Sequence, residues 1–146
     1  MMMFTVLLVG CTQNDSKLLI FDDNALILEE GDAFTYSVRT ESNEIIANQF
    51  DLSFRGFSGK ETIFTLKTTQ PTTLSLQYLS TLSSGQFKVV IVTPDNEVFT
   101  LLSGSDDDTS TISLQSGIYK IKLVGKTAFG TISLTLSDIE KVSIEK

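Results

Sequence analysis

Leu114 to Leu136 reads LQSGIYKIKLVGKTAFGTISLTL, and the fold follows from how that stretch alternates. Ser116-Gly117 is a turn signal. After it Tyr119, Ile121 and Leu123 face one way while Lys120 and Lys122 face the other, the pattern of a half-buried strand. Gly125 to Gly130 reads as a glycine-bounded connection. Ile132, Leu134 and Leu136 then alternate with Thr131, Ser133 and Thr135, so the stretch predicts a β-hairpin whose strands each carry a wet and a dry face. Lys120, Lys122 and Lys126 are expected on the solvated side, where outward lysines keep strands soluble.

Working outward, the same period recurs. Phe34, Tyr36 and Val38 alternate with Thr35, Ser37 and Arg39, and Phe50, Leu52 and Phe54 with Asp51, Ser53 and Arg55 before a break at Gly56 and Gly59. Further strands are predicted over Glu61–Lys67, Thr73–Leu79, Phe87–Thr93, Glu97–Leu102 and Thr109–Leu114. Turn chemistry separates them: Gln70-Pro71, Ser83-Ser84-Gly85, Pro94-Asp95-Asn96 and Ser103-Gly104-Ser105-Asp106. Phe87 to Val92 is apolar on both faces except at Lys88, which marks a central strand. Leu18 to Phe21 reads as a short strand running into Asp22-Asp23-Asn24, Ala25 to Leu28 as a second apolar patch, and no segment shows a helical period. Short strands at this spacing predict an all-β chain: a single antiparallel β-sandwich, jelly-roll-like.

Composition supports one domain. The chain has 146 residues, 41% of them hydrophobic, with only two prolines, which is globular and not disordered. Its net charge is −7; an acidic surface repels phosphate backbones, so nucleic acid is not expected as a partner.

At the start, MMMFTVLLVGCTQNDS passes abruptly from an apolar run ending in Leu8-Val9-Gly10-Cys11 to polar residues, and Cys11 is the only cysteine. These four residues resemble the lipobox of a bacterial lipoprotein signal, which implies lipidation at Cys11 and a place in the bacterial cell envelope, exported and held to the membrane by lipid. No Lys or Arg precedes the run, and a start placed further upstream would supply one. Nine apolar residues are too few for a transmembrane helix, which needs about 20. The expected division is 1–10 as signal segment, 11–24 as lipid-anchored tether with the first short strand, and 25–146 as the β-sandwich.

A second resemblance covers about Gly56 to Leu136. The strand running into a Pro-Asp turn, VVIVTPDNEV from Val89 to Val98, the pattern Leu114-x-x-Gly117-x-Tyr119, and a last strand introduced by Gly130 resemble the bacterial pre-peptidase C-terminal domain and related jelly-roll modules. The aromatic usual after that glycine is Ile132 here, and the Asp-rich start of the central strand is replaced by Gly85-Gln86-Phe87. The resemblance implies a non-catalytic appendage of a secreted protein, of a kind in which some members bind calcium or extracellular polymers.

The chain has no histidine, and its one cysteine belongs to the lipobox, so Ser-His and Cys-His nucleophilic catalysis lack their parts. No enzyme and no cofactor are expected. Asp106, Asp107 and Asp108 are the candidates for Ca²⁺, which takes six to eight oxygens, but they lack the spacing of a known calcium loop and read as a solvated loop tip. Glycan binding favours exposed flat aromatics; there is no Trp, and Tyr36, Tyr78 and Tyr119 fall on inward faces. Arg55 and Phe57 are the ligand-binding candidates, with Phe57 otherwise a plug at the sandwich end. The function these residues imply is a lipid-anchored, non-catalytic binding or display module of the cell surface. A carbohydrate-binding module and a structural subunit of a surface assembly are the alternatives, the first marked by a polar groove or exposed aromatic, the second by an unpaired apolar edge strand.

Overall fold

The structure, a computed structural model, describes residues 16–42 and 46–146. The signal segment with its lipobox and residues 11–15 of the tether lie outside the described residues. Three long strands organise everything else: β3 (Gln49–Thr68), β4 (Thr72–Val92) and β7 (Gly117–Ser137). β7 runs antiparallel between the other two along its whole length. β1 (Ala33–Thr35), β2 (Val38–Glu41) and β8 (Ser143–Glu145) flank β3, while β5 (Val98–Ser103) and β6 (Asp106–Leu114) flank β4.

The expected hairpin is therefore a single strand. Its two halves, Ile118–Val124 and Thr131–Leu136, pair with β3 and β4 and not with each other. The glycine breaks at Gly56–Gly59 and Ser83–Gly85 are likewise bends inside β3 and β4, where the register shifts between Phe54, Phe57 and Gly59 and between Leu82, Ser84 and Gln86. Extra residues at such bulges raise the local twist and turn a strand from one sheet into another. Backbones meet closely there. Gly59, at φ +111°, would place a side chain 2.0 Å from the Ala33 carbonyl oxygen, and Gly85, at φ +80°, the same distance from that of Thr127. These glycines permit close approach, not chain reversal.

Phe50 and Phe64 show how far β3 bends. In a straight strand their backbones would stand about 46 Å apart; here the ring centroids are 6.4 Å apart, edge to face. The three strands fold over together, giving a front sheet β2–β3–β7–β4–β6 from one set of halves and a back sheet from the other, in which β1 and β8 flank β3 and β5 flanks β4. The chain thus forms the expected single antiparallel β-sandwich. Between the layers Phe54, Phe64, Leu76, Phe87, Leu123 and Leu134 are buried. Tyr119, Ile121 and Leu123 point inward as the alternation predicts.

The outer face of the back sheet is also covered. Residues 16–18 are helical, followed by a 3-10 turn at Ile20–Asp22 and a short helix, α1 (Asn24–Leu28), opened by Asp23, whose side chain accepts from the Ala25 N–H at 2.9 Å. Leu18–Phe21 is thus not a strand, and Ala25–Leu28 is helical; five residues span too little of the 3.6-residue period to reveal it. Ile20, Phe21 and Ile27 pack on Val90, Val92 and Val124. This explains why Phe87–Val92 is apolar on both faces.

Lys122 corrects the expectation of a solvated side. It lies on the outer face of β7 but is only 4% exposed, beneath α1. The alternation assigned the face correctly; the segment that covers it is remote in sequence.

Candidate functional site

The two outer faces differ in chemistry. Under the N-terminal segment, Lys60 on β3 and Lys88 on β4 are register partners of Val124 on β7, with Lys122 two positions along β7. Each lysine donates to backbone carbonyls. Lys60 Nζ reaches those of Leu26 (2.8 Å), Ile27 (3.3 Å) and Glu29, Lys122 Nζ that of Ile27 (3.0 Å), and Lys88 Nζ that of Phe21 (2.8 Å) while lying 4.5 Å from the Phe21 ring centroid. Leu26, Ile27 and Glu29 sit at the end of α1, where carbonyls have no intrahelical partner and cations are favoured. Burial pushes all three ammonium groups below the usual lysine range. Lys122, with Lys60 and Lys120 nearby, falls to about 8.

The outer face of the front sheet is rich in hydroxyls, and no other described residues cover it. Alternate residues bring Asp51 (β3), Ser133 (β7), Leu79 (β4) and Asp107 (β6) into one row, and Thr40, Ser53, Thr131 and Thr81 into the next. Ser133 Oγ donates to Asp51 Oδ1. A depression of about 390 Å³ lies over Thr40, Asp51, Ser53, Leu79 and Thr131. A second, of about 360 Å³, shares Ser53 and Thr131 and adds Arg55, Thr81 and Phe129. Leu79 is half exposed at the centre of this face.

Arg55 projects here, opposite Val38, and among the described residues its guanidinium has no hydrogen bond or ion pair. Phe57 does not accompany it. The bulge after Phe54 turns Phe57 into the core, fully buried, where it stacks on Tyr36 with centroids 4.6 Å apart and planes within 10°. The Tyr36 hydroxyl donates to Glu61 Oε1 at 2.6 Å, and Arg39 grips both oxygens of the same carboxylate, Nε at 3.2 Å and Nη2 at 2.6 Å. Burial and Glu61 push the Tyr36 phenol above its usual range. Burial opposes the charge on Arg39, but its bonds to Glu61 and Glu41 outweigh that and raise it. Tyr78 and Tyr119 are buried as well.

Asp106, Asp107 and Asp108 open β6 instead of tipping a loop, opposite Ser80, Leu79 and Tyr78. Because successive residues alternate, Asp107 shares the outer face with Leu79, while Asp106 and Asp108 lie on the side of buried Tyr78, whose phenol is pushed up by burial and by these two carboxylates. The three do not converge. No group of three or more metal-ligating side chains occurs among the described residues.

Sequence reasoning found Arg55 but not the face around it, because the rows join four strands distant in the chain. The available signal was the run Thr131, Ser133, Thr135 and Ser137 at alternate positions. It marks a wet face but not which wet face stays uncovered.

No family model matches the chain, and no curated protein matches it. Among solved structures, a family 35 carbohydrate-binding module from Cellvibrio japonicus Abf62 is similar over 81% of this chain and 94% of its own, at 12% identity and a TM-score of 0.42. The enzymatically active domain of tailspike protein 4 of bacteriophage CBA120 is similar over 86% and 20%, at 10% identity and 0.41. A family 29 carbohydrate-binding module is similar over 79% of each chain, at 16% identity and 0.37. At scores this low, none of these likenesses bears on what this chain binds.

Proposed function

We propose that the protein is a lipid-anchored, exported, non-catalytic β-sandwich that binds a polar chain, a saccharide above all, on the outer face of its front sheet. One observation carries the binding reading: among the described residues the N-terminal segment seals the back face, whereas the front face keeps an open depression lined by Asp51, Ser53, Thr131, Ser133 and Leu79, with Arg55, unpaired among those residues, beside it. A carboxylate and a guanidinium match the donors and acceptors of sugar hydroxyls, and Leu79 offers apolar contact to a ring face. The anchoring reading is supported by Leu8-Val9-Gly10-Cys11 alone.

Two experiments test this. Calorimetric titration with soluble cell-surface polysaccharides should detect binding that Asp51→Ala or Arg55→Ala weakens about tenfold, the worth of one charge-assisted hydrogen bond; wild-type affinity in both variants would remove this face as the site. Metabolic labelling with a fatty acid should mark the wild type and not Cys11→Ser, which should also leave the membrane fraction. Equal labelling of both would end the lipoprotein reading.

A further inference from the structure

The two depressions of the front face differ in charge. The first is lined by the acidic residues Asp51 and Glu41 and by no basic one. In the second, Arg55 is the one charged lining residue, with Ser53, Thr81 and Thr131 in a row beside it and partly exposed Phe129 among the rest. These polar groups are unengaged. Among the described residues neither the Arg55 guanidinium nor the hydroxyls of Ser53, Thr81 and Thr131 have a hydrogen-bond partner, whereas Ser83 donates to the Phe129 carbonyl at 2.9 Å. The nearest acids of this face stand off. Asp51 and Asp107 share a row that crosses β3 four residues from Arg55, about 13 Å along the strand, beyond the Debye length of about 8 Å at physiological salt. Glu41 is already paired with Arg39 at 3.0 Å. An acidic chain thus keeps one guanidinium open and uncontested in a cleft of hydroxyls.

We infer that this second depression is an anion subsite, which holds an oxyanion substituent of a sugar chain, a carboxylate or a sulfate, on the fork of Arg55. The inference rests on the front face being the saccharide site and narrows its ligand to acidic saccharides. Guanidinium N–H groups meet two oxygens of one anion side by side, and such charge-assisted pairs are roughly twice as strong as the bonds a neutral sugar hydroxyl would make. The row of free hydroxyls can donate to a remaining oxygen, and Phe129 offers its ring to the apolar face of the sugar. Charge also orients the chain. An acidic substituent placed at the Asp51 end would meet a like charge, so the first depression takes neutral, hydroxyl-bearing units and the Arg55 end takes the acidic one.

Calorimetric titration of the full chain carrying Cys11→Ser with dextran, carboxymethyl dextran and dextran sulfate decides it, because the three share a backbone and differ in charge. The expected result is binding of an acidic polymer about tenfold tighter than of dextran, a preference that shrinks as salt is raised. A stronger response to carboxymethyl dextran assigns a carboxylate, and a stronger response to dextran sulfate a sulfate. Arg55→Gln should erase the preference with no loss of melting temperature, since the side chain is exposed and unpartnered among the described residues. Arg55→Lys, which keeps the charge without the fork, should retain only part of it, and Lys120→Gln, away from this face, should leave it intact. Equal affinity for all three polymers, or no binding of either acidic one, would overturn the subsite; the front face itself would still stand if Asp51→Ala weakens the polysaccharide binding described above. A preference that Arg55→Gln leaves unchanged would overturn it too, placing the anion elsewhere on the chain.

Discussion

Lys122 donates to the Ile27 carbonyl at 3.0 Å, joining the middle of the central strand to the end of a helix 95 positions earlier in the chain. The bond makes a lysine that reads as solvated part of the closure of the back face. Lys122→Ala should therefore cost about 1–3 kcal/mol, the worth of a hydrogen bond from a charged donor, with the Ile27 carbonyl left only its longer bond from Lys60 at 3.3 Å. Lys120→Ala, exposed on the same strand, should stay within about half a kcal/mol. Urea melts of the two variants check the contrast.

The same residue gives stability a pH dependence. Lys122 titrates near 8 in the fold and at 10.5 when unfolded, so between those values the unfolded chain holds a proton that the fold has shed. Stability should then rise with pH from about 8 upward. Lys60 and Lys88 are displaced in the same direction. Tyr36 and Tyr78 act oppositely: both are pushed up from 10.0, so above that pH the unfolded phenols ionise first and stability falls. Chemical denaturation at intervals from pH 7 to 11 should show a maximum near 10, and Lys122→Met should flatten its rising limb.

The bends can be tested through single atoms. A Cβ at Gly85 meets the Thr127 carbonyl at 2.0 Å, whereas one at Gly104 meets nothing within 4 Å, although both glycines have positive φ. Gly104→Ala should cost about 1 kcal/mol for its backbone conformation alone. Gly85→Ala must move backbone and should cost more than about 3 kcal/mol or prevent folding. Thermal melts separate the two.

Ile121→Ala tests the inward register of β7. Ile121 is fully buried between the layers, so the cavity should cost about 2–5 kcal/mol. A loss as small as that of Lys120→Ala would reverse the assignment of faces.

Calcium should leave the melting temperature unchanged. An ion held only by the folded state at a hundredfold excess over its dissociation constant adds about 2.7 kcal/mol, yet the three aspartates of β6 divide between two faces. An upward shift with millimolar Ca²⁺ that Asp106→Ala/Asp108→Ala removes would show that they converge after all.

Much of the fold was legible because alternation is a local property. Leu74, Leu76 and Tyr78 against Ser75 and Gln77 assign the faces of β4 without knowledge of its neighbours, and the structure places them so. The bends were not legible, because Gly125–Gly130 and Ser83–Gly85 carry the same signal whether the chain reverses or changes sheet. Only the partners of β7 distinguish these cases, and β3 and β4 lie far away in sequence. Arg55 was found by its place in an alternating strand. Its neighbours Thr131 and Thr81 were not, since rows across a sheet belong to pairing and not to period. Phe57 stands two residues after Arg55, a spacing that shares a face in a regular strand, yet it faces the opposite way, a separation made by one bulge.

Continuity of the three bent strands reaches beyond the finished structure to the order in which it can arise. Among the described residues β3 and β4 do not pair with each other; both rest on β7, which follows them in the chain, with Gln49 opposite Thr135 and Val92 opposite Lys120. Contacts of such high sequence separation slow folding. A nascent chain ending before Gly117 lacks the middle of both sheets, so neither layer can form ahead of β7. The core between the layers therefore waits for β7 to emerge, whichever layer closes on it first.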